Sequence, residues 1–293
     1  MDRQSRIHGL CLQGTVQRAE FRTPSPFRWI GTTDMAGALK STSDGATLVL
    51  TLSNPELKNA LSPEIYAAGV EALNAAENNP DIRSVVINGE GTNFCAGGNL
   101  YRLQANRAQP LDVQVQSING LHSWIDSIRT FPKPVIAAVE GAAAGAGFSL
   151  ALACDFLVAA DNAVFVMAYS NVALSPDGGG SWALSHTLPR ALVTELLMCG
   201  ERIGAARLHA LGLVNRSVTP GDALIEALKL ADTLNARAPN ALASIKELIN
   251  DAQTNTLSQQ LDAERSHFVR NLHHPNGGEG IAAFLEKRLP RYT

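Results

Sequence analysis

The segments FCAGGNL at 94–100 and EGAAAGAGFSL at 140–150 place runs of glycine and alanine directly after predicted strands. Small residues let a ligand approach the main chain, and a helix that begins there offers unpaired N–H donors and a positive partial charge. Two such loops can hold one oxygen between two amides, which suits a carbonyl whose oxygen gains charge during reaction. For either loop alone, close helix–sheet packing is the alternative reading. A third segment, PDGGG at 176–180, sets one carboxylate, Asp177, at a predicted helix start. An Asp in that place commonly caps the helix. Residues 145–150 read GAGFSL and miss G-x-G-x-x-G, and G-x-x-x-x-G-K-[ST] does not occur, so the nucleotide-phosphate fingerprints are absent. No His, Cys and Asp cluster has metal-ligand spacing, and no metal is expected.

The elements around these loops alternate in type. TLVLTL at 47–52, SVVIN at 84–88 and VIAAV at 135–139 read as strands, and helical periods separate them, which marks an α/β domain. Ser62 and Pro63 suit the N-cap and first position of a helix in which Ile65, Val70 and Leu73 share a face. A long helix over 115–131 is stopped by Pro132-Lys133-Pro134, and a short apolar helix ends near Cys154. Residues 156–160 and 163–166 read as two short strands around an Asp161-Asn162 turn, 176–180 opens a helix, and LVNRSV at 213–218 is strand-like. Beyond Pro220 the pattern is helical, over 223–236, 240–253, 257–272 and 278–287. The expected division is a core over 36–220 and a helical C-terminal region over 221–293 that folds over the core or a neighbouring subunit.

With 293 residues the chain is long enough for a large core, and 17% charged residues argue against disorder. A net charge of −3 gives no general attraction to phosphate backbones, so no nucleic-acid partner is expected. Cys11, Cys95, Cys154 and Cys199 are widely spaced, which disfavours a zinc site or a disulfide framework and fits a reducing compartment such as the cytoplasm. The most apolar stretch, 134–160, is interrupted by Glu140, Asp155 and glycines and is not read as a membrane span. Residues 1–35 are Arg-rich with no sustained apolar period. They read as an extension outside the core, with Met35 as the natural start, or as a transit peptide that would direct the chain to the mitochondrial matrix.

The three glycine segments, their order, NPELKNALS at 54–62, KPVIAAVEGAAAGAGFSLALACD at 133–155, VALSPDGGGSWAL at 172–184 and AFLEKR at 283–288 together resemble the crotonase superfamily of enoyl-CoA hydratases and isomerases. The resemblance covers residues 45–290. It implies a spiral of ββα units with two nearly perpendicular sheets, a helical C-terminal region that trimerises, and homotrimers or homohexamers. It also implies an acyl-CoA thioester as substrate, with coenzyme A arriving as part of that substrate and no separate cofactor.

Carried onto this sequence, the resemblance makes Gly98 and Ala146 the two amide donors to the thioester oxygen. It places Lys58, Ala60, Ala96, Gly97, Asn99 and Leu100 along the CoA ester, with Phe284 and Lys287 added from the C-terminal helix. Asn99 stands where the family commonly has Asp. The family's hydratases use two glutamates, and at those positions this sequence has Ser149 and Tyr169, neither of which is a carboxylate able to shuttle a proton near neutral pH. Asp177 matches the acid by which some superfamily isomerases move a proton along the acyl chain. His122 matches the general base of the superfamily's aryl-CoA dehalogenases, though a lone His on a helix is usually structural or solvated. Trp124 and Trp182, at apolar helical positions, read as core or pocket wall. An acyl-CoA isomerase is therefore expected, with a hydratase as the alternative. An acyl-CoA hydrolase or dehalogenase, a non-catalytic acyl-CoA binder and an RNA-binding role rank lower, the last because the 115–129 helix has few basic residues.

Overall fold

Residues 37–293 are described by the structure, a computed structural model, and the predicted N-terminal extension falls outside them. Ala38–Asp44 (β1) pairs with Thr47–Ser53 (β2), and Pro63–Glu77 (α1) leads to Ser84–Gly89 (β3). Leu100–Asn106 (α2) and Leu111–Thr130 (α3) precede Val135–Val139 (β4), Ala142–Ala144 (β5) and Ala146–Ala153 (α4). Then come Phe156–Ala160 (β6), Val164–Val166 (β7), Gly180–Thr187 (α5), Arg190–Thr194 (α6), Arg202–Gly204 (β8), Ala205–Ala210 (α7) and Arg216–Val218 (β9). The chain closes with Ala223–Asn235 (α8), Pro239–Asp251 (α9), Leu257–Leu272 (α10) and Pro275–Leu285 (α11).

A large sheet has the order β1-β2-β3-β4-β6-β9 and is parallel except for its β1–β2 edge, while β5, β7 and β8 form a small second sheet. Both faces of the large sheet are covered, which explains why VIAAV is buried along its whole length. Alternate strand residues point to opposite sides. On one side Val85, Ile87, Val135 and Val139 pack with Leu73 of α1 and Trp124 of α3. On the other, Val86, Ile136 and Val158 meet Ala227, Leu230 and Ala231 of α8. The first of the helices beyond Pro220 is thus built into the sheet's packing.

Several local expectations change. β6 and β7 are not partners across the Asp161-Asn162 turn: β6 pairs with β4 and β9, and β7 with β5 and β8. The turn passes the chain from one sheet to the other. The glycine turn after β4 contains a strand, β5. Ser62 occupies the N-cap position of α1 with Pro63 following, yet its hydroxyl makes no capping bond, and Val70 is only half-buried while Ile65 and Leu73 are buried. Trp124 is core, whereas Trp182 is 40% exposed and stacks with Arg129 (4.5 Å to the ring centre) and His186 (4.2 Å between centres). Among the described residues no helix is long and apolar enough to cross a membrane.

Candidate active site

The two glycine-rich loops leave the carboxyl ends of adjacent parallel strands, β3 and β4, the edge at which open α/β sheets bind ligands. Main-chain bonds weld them together. Phe94 N donates to Glu140 O (2.7 Å), Cys95 N to Ala142 O (3.0 Å) and Ala144 N to Cys95 O (2.9 Å). The next step of the chain brings Leu61 alongside Gly98, with Leu61 N donating to Gly97 O at 2.8 Å. Gly97 has φ 91°, and a Cβ there would lie 2.6 Å from Ala144 O and 3.3 Å from Ala146 N. Only glycine lets the first loop approach the start of α4 this closely.

Ala146 is the first residue of α4, so its N–H has no carbonyl within the helix. The Gly98 and Ala146 amides donate to no acceptor among the described residues, although their neighbours do: Ala96 to Lys58 O at 2.9 Å and Gly145 to Val166 O at 2.8 Å. The loop pair therefore presents two main-chain N–H groups without an acceptor among the described residues. Asn99 organises the first loop, since its Oδ1 accepts from Tyr101 N (3.0 Å) and Arg102 N (3.2 Å) and caps α2. The amide thus performs the capping available to an Asp, without the charge.

Asp177 is fixed through two of its oxygens. Its main-chain carbonyl accepts from Ser149 Oγ at 2.9 Å, and its Oδ1 accepts from the Tyr169 hydroxyl at 2.5 Å. The helix-cap reading is corrected here, because Gly179, with φ 75°, is the N-cap of α5 and no side chain caps that helix. The Asp177 carboxylate accepts from Tyr169 and has no other side-chain partner among the described residues. Burial raises its pKa, while the Tyr169 hydrogen bond and the charge of His122 oppose that rise. A carboxyl shifted toward neutrality is better matched to giving and taking protons at physiological pH. Tyr169 is itself buried, and its ring lies 3.6 Å from the place a Cβ on Gly145 would occupy, next to the Ala146 amide. Burial and the Asp177 charge push its phenol well above the usual range.

Of the other sequence-derived candidates, the Lys58 carbonyl and the Ala96 amide are joined, Ala60 and Gly97 are buried, and the Lys58 and Leu100 side chains are exposed. His122 is exposed on α3 and acts on Asp177 through charge alone. Phe284 and Lys287 face solvent at the end of α11. Sequence reasoning missed Tyr66. It sits on the buried face of α1, where burial, then the Asp177 charge and Cys95, raise its phenol pKa. Its only signal in the sequence, a helical position beside Ile65, is shared with any core residue. Cys95 is no nucleophile, because burial pushes its thiol up to about 12 despite the Gly97 amide that donates to it at 3.3 Å. A cavity of about 390 Å³ lies elsewhere, bounded by Arg129, Asp155, Trp182 and Lys246, and contains none of Gly98, Ala146 or Asp177. No group of three or more His, Cys, Asp and Glu among the described residues could hold a metal ion.

Two sheets that carry welded glycine loops with spare amides, and a half-buried carboxyl beside them, define a protein of the crotonase superfamily. Residues 42–293 match the Enoyl-CoA hydratase/isomerase family, and the chain belongs to it. It is 36% identical over 247 residues to the 1,2-epoxyphenylacetyl-CoA isomerase of Escherichia coli strain K12, an alignment covering 84% of this chain and 94% of that protein. It is also 35% identical over 261 residues to the carnitinyl-CoA dehydratase of the same strain, covering 87% of this chain and 98% of that one. A crystal structure of an enoyl-CoA hydratase from Polaromonas sp. JS666 superposes with a TM-score of 0.87 at 77% identity, over 88% of this chain and all (100%) of that one. The chain is accordingly an enzyme of this family, and an acyl-CoA thioester is its substrate.

Proposed function

We propose that the enzyme is an acyl-CoA isomerase. The Gly98 and Ala146 amides hold the thioester oxygen while Asp177 takes a proton from an acyl carbon. The electron pair of the broken C–H bond moves onto that oxygen as an enolate, and Asp177 returns the proton to a second carbon, so that a double bond migrates and mass is unchanged. Each amide donor is worth about 3–4 kcal/mol at such an oxyanion. The observation that carries this reading is the position of Asp177, with Ser149 and Tyr169 where a hydratase has its two glutamates. One carboxyl suffices for a 1,3-proton transfer, whereas the two-glutamate addition of water has neither of its groups. The relationship to the epoxyphenylacetyl-CoA isomerase supports 3-enoyl or ring-derived epoxyacyl esters as the substrate class.

The CoA arm is assigned to the main chain from Lys58 to Ala60 and from Ala96 to Leu100. Phe284 and Lys287 are assigned to the same arm from α11, in a trimer or hexamer of this chain. A hydratase is the second reading, favoured by the Polaromonas structure.

The test presents 3-enoyl-CoA and, separately, 2-enoyl-CoA to the wild type and to Asp177→Asn, with products followed by mass and chromatography. Double-bond migration without mass gain, reduced about 10²- to 10⁴-fold in the variant, is the expected outcome. Addition of water that persists in the variant would restore the hydratase. Binding of both esters with no product from either protein would instead indicate a binder.

A further inference from the structure

We infer that Tyr169 is a positioning residue that holds Asp177 through Oδ1 and so assigns the travelling proton to Oδ2. The inference rests on Asp177 being the proton-transfer group, and it adds how that group is aimed.

The carboxylate of Asp177 is spared from helix capping because Gly179 takes the N-cap of α5. Its main chain is anchored by Ser149, whose hydroxyl is buried on α4 and donates to the Asp177 carbonyl at 2.9 Å. A carboxyl with a fixed main chain still rotates about its side-chain torsions, and rotation would exchange its two oxygens. The 2.5 Å bond from Tyr169 removes that freedom. Tyr169 cannot readily move in response, since its side chain is buried between Gly145 and the Asp177 segment. Burial and the Asp177 charge favour the protonated, donating phenol, because ionising it would place two negative charges together in a buried space. Asp177 thus keeps one oxygen permanently occupied, and Oδ2 alone exchanges a proton with the acyl chain. An oriented carboxyl loses no rate to unproductive rotamers.

The titratable groups that act on Asp177 are Tyr169 beyond β7 and His122 on α3, and Asp177 in turn acts on Tyr66 of α1. Glu64 and Arg102 act in turn on Tyr66 with opposite signs, and Cys95 adjoins it. Tyr169 is the group among these that donates a hydrogen bond to the carboxylate. Removing it takes away a stabiliser of the charged form, so the Asp177 pKa must rise, and the acid limb of the rate profile must move to higher pH with it.

The experiment follows the Asp177 carboxyl directly by ¹³C NMR of protein labelled at aspartate Cγ, with Asp177→Asn identifying the resonance. The same proteins are assayed for double-bond migration across pH. Tyr169→Phe is expected to raise the Asp177 midpoint by about one pH unit, the size expected for a hydrogen bond to a charged group. The acid limb should rise by the same amount, and kcat should fall about tenfold with KM little changed. Replacing the Tyr169 phenol by 3-fluorotyrosine, a stronger donor of nearly the same shape, should lower the midpoint, and this variant serves where Tyr169→Phe folds poorly. A midpoint unmoved by either change overturns the inference, even if Asp177→Asn abolishes isomerisation. An Asp177→Asn enzyme that still isomerises overturns the reading beneath it, whatever the NMR midpoint does.

Discussion

Asp177, the proposed proton carrier, is held partly buried at some expense to the folded state. Its pKa is raised mainly by burial, so at neutral pH the fold keeps a carboxylate that would be better solvated in the unfolded chain. For an acid with a raised folded pKa, this cost is fully present above the folded value and is relieved as pH falls through it toward the unfolded value. Asp177→Asn preserves an acceptor for Tyr169 and removes the charge. It should therefore raise the melting temperature at pH 7–8, with the gain shrinking on acidification as the wild-type carboxyl becomes protonated. Thermal denaturation of both proteins from pH 4 to 8 checks this, and a variant less stable than wild type at pH 8 would contradict it. The sequence displayed Asp177 plainly in PDGGG, but its freedom from capping depends on Gly179 adopting a left-handed conformation. The Tyr169–Asp177 bond joins residues eight apart in a segment with no regular period, so no pattern of spacing announces it. Tyr66 was concealed for the opposite reason, because it follows the period of a core helix face.

At the level of elements, α2 shows how one side chain maintains a loop of the site. Asn99 caps the helix while its own backbone continues the loop that contains Gly97 and Gly98. Asn99→Ala should cost about 1 kcal/mol, or roughly 2–4 °C in melting temperature for a chain of this size. Asn99→Asp should restore the cap and stability close to wild type, and calorimetry of the two variants distinguishes the cap from the mere presence of a polar group. The elements that were legible are those with a strong period or a fully apolar run: β4 is buried throughout, and α10 starts at a Thr256 capping box with Gln259. Those missed lack any such signal. β1 reads ALKSTSD, an edge strand mostly exposed and nearly devoid of apolar alternation, and polar edges of this kind also discourage pairing with other chains. β5 and β8 have three residues each, too short to display a period of two.

In the whole molecule, the helices after Pro220 divide into two kinds. α8 buries its apolar face on the sheet, whereas Phe268 of α10 is 69% exposed, Phe284 of α11 84% and Leu289 87%. Large exposed apolar residues at the C-terminal end fit the proposed trimer or hexamer, in which such surface would be covered. Analytical ultracentrifugation at micromolar concentration should show a trimer or larger, and a monomer there would refute the proposed assembly. The alternation of β4, β5, β6 and β7 between the two sheets also gives the enzyme an order of construction. β5 carries the chain into α4; the Cys95 loop bonds it on one side, and on the other its strand partner is β7, which in turn pairs with Arg202–Gly204. During synthesis the small sheet stays incomplete until residue 204 has emerged, and the large sheet waits longer still for Arg216–Val218. The two glycine loops can meet before then, but the small sheet beneath the second of them is still open, so the site they border is completed late, after most of the chain that surrounds it has been made.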